Sequence, residues 1–447
     1  MSDIAAVNNS LCTGCGVCVS EDLNNSTYMV WNEDGFLVPN KTKRDFTIEM
    51  NRVCPFNPKP ELNEDDLANE FLIDNRYTDS DIGKYTSLYA GYSKVFRETS
   101  SSGGIATFIF EKLLLSRTVD HLFIVKELDG KYAYQLFNDV NDIKKISKTR
   151  YYPVTLESLF TIINELDGKV AVSGVACFLK AIRLKQHYNP ILKEKITFLV
   201  GIICGGLKSR HYTDFLAQSA GCNNDYHSAQ YRVKNEQSFA LDYKFSCVED
   251  QSQKLHAVQM RALGDMWGTG LFKSKACDFC DDVTTELADI SLGDAWIPPF
   301  NKEGLGNSIL ITRSAIADRL ITDGLSNDEL HLSEIDLGRI KKSQSGSFNH
   351  RHKGLLFRVN IEKKKKAVFP QKRTRFLKTQ GLLSNIIQIQ RMLTRSKSLS
   401  IWNKYRNIND FNKNMKPYLF MLRKTTGLSH KIIKLKSIIV KSNRNEK

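Results

Sequence analysis

Between Tyr85 and about Asn349 the chain alternates two kinds of apolar pattern. Short runs such as HLFIVK, KVAVSG, ITFLVGIIC, ADISLGDAW and SILITR are rich in β-branched residues and end at glycine or charge. Stretches such as GIATFIFEKLLLS and ACFLKAIRLKQHY instead repeat their apolar residues every three to four positions. The first kind predicts strands and the second helices. Their alternation predicts an α/β core with a mostly central sheet over residues 85–349. Residues 1–60 carry no such pattern and read as a small turn-rich module, with CTGCGVC near its start and VCPFNPKP near its end. Residues 61–84, ELNEDDLANEFLIDNRYTDSDIGK, are acidic and weakly periodic, and predict a helix and linker. Beyond Gly354 the stretches LLSNIIQIQRMLTRSKSL and HKIIKLKSIIVKSNR have helical period among many bases, so residues 350–447 read as a basic helical tail. No solenoid-length repeat is present, and no apolar run approaches the roughly 18 to 20 residues that would cross a bilayer.

A length of 447 residues suits two or three domains of roughly 100 to 200 residues each. The net charge of +15 is unevenly placed. From Arg351 onward there are 26 Lys and Arg against three acids, a net of +23, which leaves −8 on the first 350 residues. Attraction to anionic partners therefore belongs to the tail alone. The start, MSDIAAVNNSLCTGC, has neither the basic nor the apolar region of an export signal. A cytoplasmic location is expected, and with it ten cysteines used for metal or redox work rather than disulfides.

Cys12, Cys15 and Cys18 form C-x2-C-x2-C, and Cys54 is followed by Pro55. Three thiolates in one tight loop and a distant Cys-Pro match a one-cluster ferredoxin-like arrangement, so these four are expected to hold a 4Fe-4S cluster. Gly14 and Gly16 would let the loop fold tightly and aim N–H groups at sulfur. Zinc is the rival occupant, although its loops usually pair ligands as two C-x2-C knuckles. Cys277 and Cys280, in KACDFC, are compatible with a redox dithiol, a zinc knuckle or half a cluster. Cys177 and Cys204 each end an apolar run at a glycine turn, where α/β sheets gather their sites, and can either meet that pair or serve as small buried hydrophobes. Cys222 and Cys247 stand in no motif and read as structural. The turn Ser100–Gly104, SSSGG, precedes an apolar-faced helix; it suits a phosphate or simply caps the helix. His121, His211, His227, His331, His350 and His352 show no metal-like spacing and are expected at the surface or in caps. No Ser-His-Asp set or pair of catalytic carboxylates is legible, so no catalytic residue is assigned.

Taken together, CTGCGVC with VCPFN, SSSGGIATFIFEKLL, KTRYY, VAVSGVACFLKAIR, GIICGGLKS, YRVK, ACDFCDDVTTELADISLGDAW and EGLGNSILITR resemble the coenzyme F420 hydrogenase/dehydrogenase beta-subunit family of iron-sulfur flavoproteins. The blocks follow family order over about residues 10–315, and the C-x2-C with ELADISLGDAW is the most specific. The resemblance implies a second 4Fe-4S cluster on Cys177, Cys204, Cys277 and Cys280. It also implies FAD in the core, with Ser101, Ser102, Gly103, Gly104 and Gly174 among its contacts. Gly293 and Asp294 are expected near the cofactors, with a plain turn acid as the alternative for Asp294. The chain departs from the family pattern at Val175, Ala176 and Phe178, at Gly205 in place of the commoner histidine, and at Arg150 to Val154. These changes touch the substrate pocket and weaken any assignment of coenzyme F420 itself.

The expected function is an FAD-dependent iron-sulfur oxidoreductase. Reduced ferredoxin or a similar donor would supply electrons to a two-electron acceptor, a small molecule or a glycan-linked one, with bacterial relatives suggesting surface-polysaccharide biosynthesis. A non-catalytic electron-transfer subunit of a larger redox complex and an authentic coenzyme F420 oxidoreductase are the alternatives. In the tail, IIKLKSIIVKSNRNEK and LLFRVNIEKKKK place Ile, Leu and Phe beside bases, which suits peripheral contact with an anionic membrane at its inner face. Few aromatics interleave with the bases, so nucleic acid is not the expected partner.

Overall fold

Four of the predicted strands lie parallel in the middle of one eight-stranded sheet. The computed structural model describes residues 5–24, 26–40, 46–128, 131–146 and 148–445. In it, His121–Leu128, Val170–Gly174, Ile196–Ile202 and Ile290–Asp294 pair side by side in that order, all parallel. Lys131–Phe137 closes one edge antiparallel to the first. Beyond the last, Ser308–Thr312, Ser87–Ser93 and Leu330–Glu334 follow, each antiparallel to its neighbour.

Successive side chains of a strand point to opposite faces, and both faces are covered. Val170 and Val172 meet Leu159, Phe160 and Ile163 of helix Leu159–Glu165 and Phe178, Leu179 and Ile182 of helix Ala176–Tyr188. Ala171, Phe198, Val200 and Ile290 face the other way, onto helices Ile105–Leu115 and Ala315–Ser326. The near-continuous apolar runs of the sequence follow from this double burial. A three-stranded antiparallel sheet, Tyr226–Val233, Lys244–Glu249 and Leu255–Gln259, stands apart from the main one.

The acidic stretch after the N-terminal module forms helix Glu64–Phe71, begun by a reciprocal capping box between Asn63 and Asp66. Its Glu64 is buried against Lys180 at 3.0 Å. The stretch is thus wired into the core as well as linking to it.

The first half of the basic stretch is interior, in contrast to the solvated helices its charge suggests. Arg351, Arg358, Arg373 and Arg395 are all buried. Helix Leu382–Tyr405 and the start of helix Ile408–Asn445 insert Trp402, Phe411 and Met415 into a core shared with the three-stranded sheet. Their bases are drawn inward by the surplus acid of the body. Farther along, Met421, Leu428, Ile432 and Leu435 are exposed. Of the final basic run, the last two residues and most side chains lie outside the described residues. No helix among the described residues is long and apolar enough to cross a membrane.

Arg373 is the most connected of the buried bases. It donates to both oxygens of Glu286 at 2.7 and 2.9 Å, to Asp65 at 3.0 Å and to Asp281 at 3.4 Å. Removing one partner of a buried ion pair strands the other, at a cost of about 3–5 kcal/mol. Arg373→Ala should therefore lower the denaturant midpoint by that equivalent, while Lys424→Ala, on the outer helix, should leave it unchanged.

Candidate functional site

The N-terminal cysteines are assembled by two segments. Cys12 and Cys15 lie on a loop that turns through Gly14 and Gly16, at φ 74° and 75°, into the short helix Val17–Glu21, which carries Cys18. The left-handed conformation favours glycine, and at Gly16 a side chain would also run into Thr155. The Gly14 N–H donates to the Cys12 sulfur at 3.4 Å, as the spacing predicts. Cys54 follows helix Ile48–Arg52, whose first turn is capped by Thr47. All four cysteines line one pocket with Leu11, Met29 and Phe56.

Burial raises the pKa of the Cys12 thiol to about 12, with Cys15 adding to the effect. Burial, then Cys15, Cys12 and Cys54, push that of Cys18 well above its ordinary value. Four thiols held this close in an apolar pocket resist ionisation until a cation compensates them, which is the situation of a metal-ligand set.

Cys177, Cys204, Cys277 and Cys280 form the second set. Cys177 follows the Val170–Gly174 strand and Cys204 the Ile196–Ile202 strand, at carboxyl ends of adjacent parallel strands, where open α/β sheets place ligands. Cys277 and Cys280 arrive on the turn Lys275–Phe279, begun by the Ser274 hydroxyl. Burial raises the pKa of Cys177 well above its usual value, and Cys280, Cys204 and Cys277 reinforce it. Burial, then Cys204, push Cys277 up to about 12. The Gly206 N–H donates to the Cys204 sulfur at 3.2 Å and the Leu207 N–H to the Cys277 sulfur at 3.1 Å. The structure thus brings Cys177 and Cys204 to the C-x2-C pair. Cys15 also bears on Cys177, so the two sets adjoin. Phe56, Ala276 and Phe279 pack with Cys18, Cys54, Cys177 and Cys280 around their junction.

Neither set is drawn in around one ion. Among the described residues, three or more Cys, His or acidic donor atoms lie within 4.8 Å of one another only elsewhere, at Cys222, Glu249 and His256.

The second pair sits in a loop with three acids, and bases from beyond residue 350 neutralise it. Asp278 meets Arg395 at 2.7 Å and Lys273 at 3.3 Å, and Asp281 meets Lys372 at 3.0 Å. Burial opposes the Asp278 carboxylate, yet Lys273, Arg395 and His350 hold its pKa well below the usual range. Arg351 donates to the carbonyls of Asp282 and Cys204. Burial works against its charge, but Cys280, Cys204 and Cys277 raise its pKa. Sequence reading counted Arg351 as one tail base among many; the signal available was the acid-rich CDFCDD, which needs cations once buried. His350 and His352, expected at the surface or in caps, belong to this loop's surroundings: His350 lies 2.8 Å from Lys273, and His352 stacks on Phe376.

The Ser100–Gly104 turn leads into helix Ile105–Leu115 as expected. Ser101 and Ser102 already have protein partners, the Thr149 N–H at 2.9 Å and the Asn307 carbonyl at 3.1 Å. Gly103 and Gly104 are required by close backbone, since a side chain on either would meet Gly91, Ser308 or Phe96. What can receive an anion here is a group of cations that sequence reading missed. Lys234 donates to the Ser102 carbonyl at 2.8 Å, and burial with Arg232, Arg97 and Lys148 depresses its pKa to about 7. The Nε atoms of Arg150 and Arg232 are buried without a partner. Asp294, at the end of its strand, is gripped by Arg232 with two bonds of 2.7 Å, which makes it an anchor for that arginine. Gly293 abuts Ile203, beside Cys204, and Gly174 abuts Leu179. At Gly205 the Trp267 indole lies against the backbone.

Two family models, both of the coenzyme F420 hydrogenase/dehydrogenase beta subunit, match the chain. The N-terminal one covers residues 88–161 and the C-terminal one residues 167–337. The coenzyme F420 hydrogenase subunit beta of Methanosarcina barkeri is 26% identical over 253 residues, 53% of this chain and 81% of that protein. Coenzyme F420-dependent sulfite reductase of Methanocaldococcus jannaschii is 21% identical over 265 residues, 54% of this chain but 38% of that protein. A chain from the F420-reducing NiFe hydrogenase complex of Methanosarcina barkeri superposes with a TM-score of 0.49 at 20% identity, over 65% of this chain and 96% of that one.

The two sets should bind iron independently. After anaerobic reconstitution, Cys54→Ala and Cys280→Ala are each expected to lose about half of the iron and sulfide, and the double variant nearly all. Complete loss in either single variant would mean one shared site.

Proposed function

The chain belongs to the coenzyme F420 hydrogenase/dehydrogenase beta-subunit family, and from that premise we propose that it is an iron-sulfur flavoprotein oxidoreductase, fed singly with electrons by a ferredoxin-type donor at its N-terminal module. The observation that carries this reading is the adjacency of two four-cysteine sets, with Cys15 bearing on Cys177. With iron-sulfur groups in both sets and FAD in the core, the bound groups would supply one-electron passage and two-electron delivery to an acceptor.

The protein's own part is positional and electrostatic. N–H groups of Gly14, Gly206 and Leu207 donate to sulfurs that carry negative charge when ligated. The positive charge of Arg351, fixed beside Cys204 and Cys280, favours electron-rich states of the second set. Phe56, Ala276 and Phe279 exclude water from the junction between the sets. The Ser101–Gly104 turn, with Lys234, Arg150 and Arg232, would receive the flavin's pyrophosphate. Trp267 on Gly205 narrows the space beside Cys204.

Anaerobically purified protein should contain roughly eight irons and one FAD per chain. Cys15→Ser is expected to abolish reduction by a ferredoxin-type donor while chemically reduced flavin still turns over; undiminished donor-driven activity in this variant would exclude the path. Iron without any flavin would instead favour a pure electron carrier.

The flavin assignment has a pH signature. Lys234 is half neutral near pH 7 in the free protein, and an anion beside it favours its protonated form. Below pH 7 the proton is already present; above it, binding must take one up. Affinity of the flavin-free protein for FAD should therefore fall by up to about tenfold per pH unit above 7. Lys234→Met should bind more weakly and show a flatter profile, whereas an unchanged slope would place the flavin elsewhere.

A further inference from the structure

Cys222, Cys247 and His256 are far apart in sequence, stand in no motif, and are used by neither cysteine set. The small three-stranded sheet brings them together. Cys247 and His256 face each other across the ladder between Lys244–Glu249 and Leu255–Gln259, so both lie on one side of it. Glu249 is two residues beyond Cys247 and shares that side. Cys222 comes from the other direction, where helix His211–Ser219 ends and Gly221, at φ 89°, turns the chain back.

The donor atoms of Cys222, Glu249 and His256 all lie within 4.8 Å of one another. The Cys247 thiol is hydrogen-bonded beside that of Cys222. His256 has a side chain only 9% exposed, and its Nε2 is buried without a hydrogen-bond partner, 3.8 Å from the Glu249 carboxylate. A buried imidazole nitrogen without a partner is costly in a protein interior. It is what a histidine prepared for a metal ion presents. Glu249 is in turn oriented by Asn224 at 2.7 Å and by the Ser252 hydroxyl, the outer contacts that fix a ligating carboxylate.

We propose that Cys222, Glu249 and His256, with Cys247 completing a fourth corner, bind one zinc-class divalent ion that pins the three-stranded sheet to helix His211–Ser219. Thiolate, imidazole and carboxylate together are a zinc donor set, and tetrahedral bonds of about 2.0–2.3 Å require Cys222, Glu249 and His256 to close in modestly and Cys247 to swing toward them. The site is structural: four protein donors leave no open position for substrate. It is separate from both four-cysteine sets and independent of the redox reading.

Zinc K-edge X-ray absorption on the full-length protein, loaded with iron and incubated with one equivalent of zinc chloride, tests this without interference from iron. The expected spectrum has two sulfur neighbours at about 2.3 Å and two nitrogen or oxygen neighbours at about 2.0–2.1 Å, with roughly one zinc retained per chain after desalting. His256→Ala and Cys222→Ala should each lose that zinc and keep the wild-type iron content. A four-sulfur environment would place the zinc in a cluster set and overturn the proposal. So would failure of the wild-type protein to retain zinc, or a Cys222–Cys247 disulfide found by non-reducing peptide mapping. The wild-type spectrum decides the matter even where a variant fails to fold.

Discussion

Neutralisation of a buried acidic loop is the constraint on which the rest of this structure depends. The segment that delivers Cys277 and Cys280 also carries Asp278, Asp281 and Asp282, all buried. Left alone, three interior carboxylates would be prohibitive. Asp278 and Asp281 are met by Lys273 from within the core and by Lys372, Arg373 and Arg395 from the far end of the chain, while Arg351 holds the Asp282 backbone carbonyl and the Asp282 carboxylate accepts from the Glu286 N–H. A buried ion pair is a weak source of net stability but a strong source of geometric definition in some proteins. Here the definition falls on two cysteines that must reach two others at the end of a sheet.

The sheet supplies the complementary constraint. Parallel strands point their carboxyl ends one way, and at that end Cys177, Cys204 and Asp294 emerge from neighbouring strands. Asp294 spends its carboxylate on Arg232 and its carbonyl on Ser343 and Gln344. Arg232 is thereby held near the cations that face the Ser101–Gly104 turn. The same edge of the fold thus presents a sulfur-rich site and a cationic one, joined by strands that are rigid because both faces are packed.

Much of this was legible in the chain. The strand and helix runs of residues 85–349 announced themselves because double burial leaves long apolar stretches, and C-x2-C-x2-C is compact enough to place its cysteines together. The convergence of Cys177, Cys204, Cys277 and Cys280 was only one option among several from spacing, since it depends on which strands become neighbours. Arg351 and Arg373 were hidden for another reason: charge counting sees a basic segment, and only tertiary placement turns its arginines inward. Lys234 and Arg150 escaped notice because isolated bases carry no periodic signal. The Cys247 and His256 pairing was illegible without strand register, which sequence period alone does not supply.

The origin of the neutralising arginines has a consequence for biogenesis. A chain emerging from the ribosome exposes both cysteine sets before Arg351, Lys372, Arg373 and Arg395 exist to meet the acids of the second. The first set draws its four cysteines from residues 12–54 and packs at Gly16 against Thr155, but Cys18 and Cys54 also share a core with Leu355, Val359 and Phe376. Maturation is therefore ordered by synthesis itself: neither site acquires its full surroundings until the segment from Arg351 to Arg395 has been made.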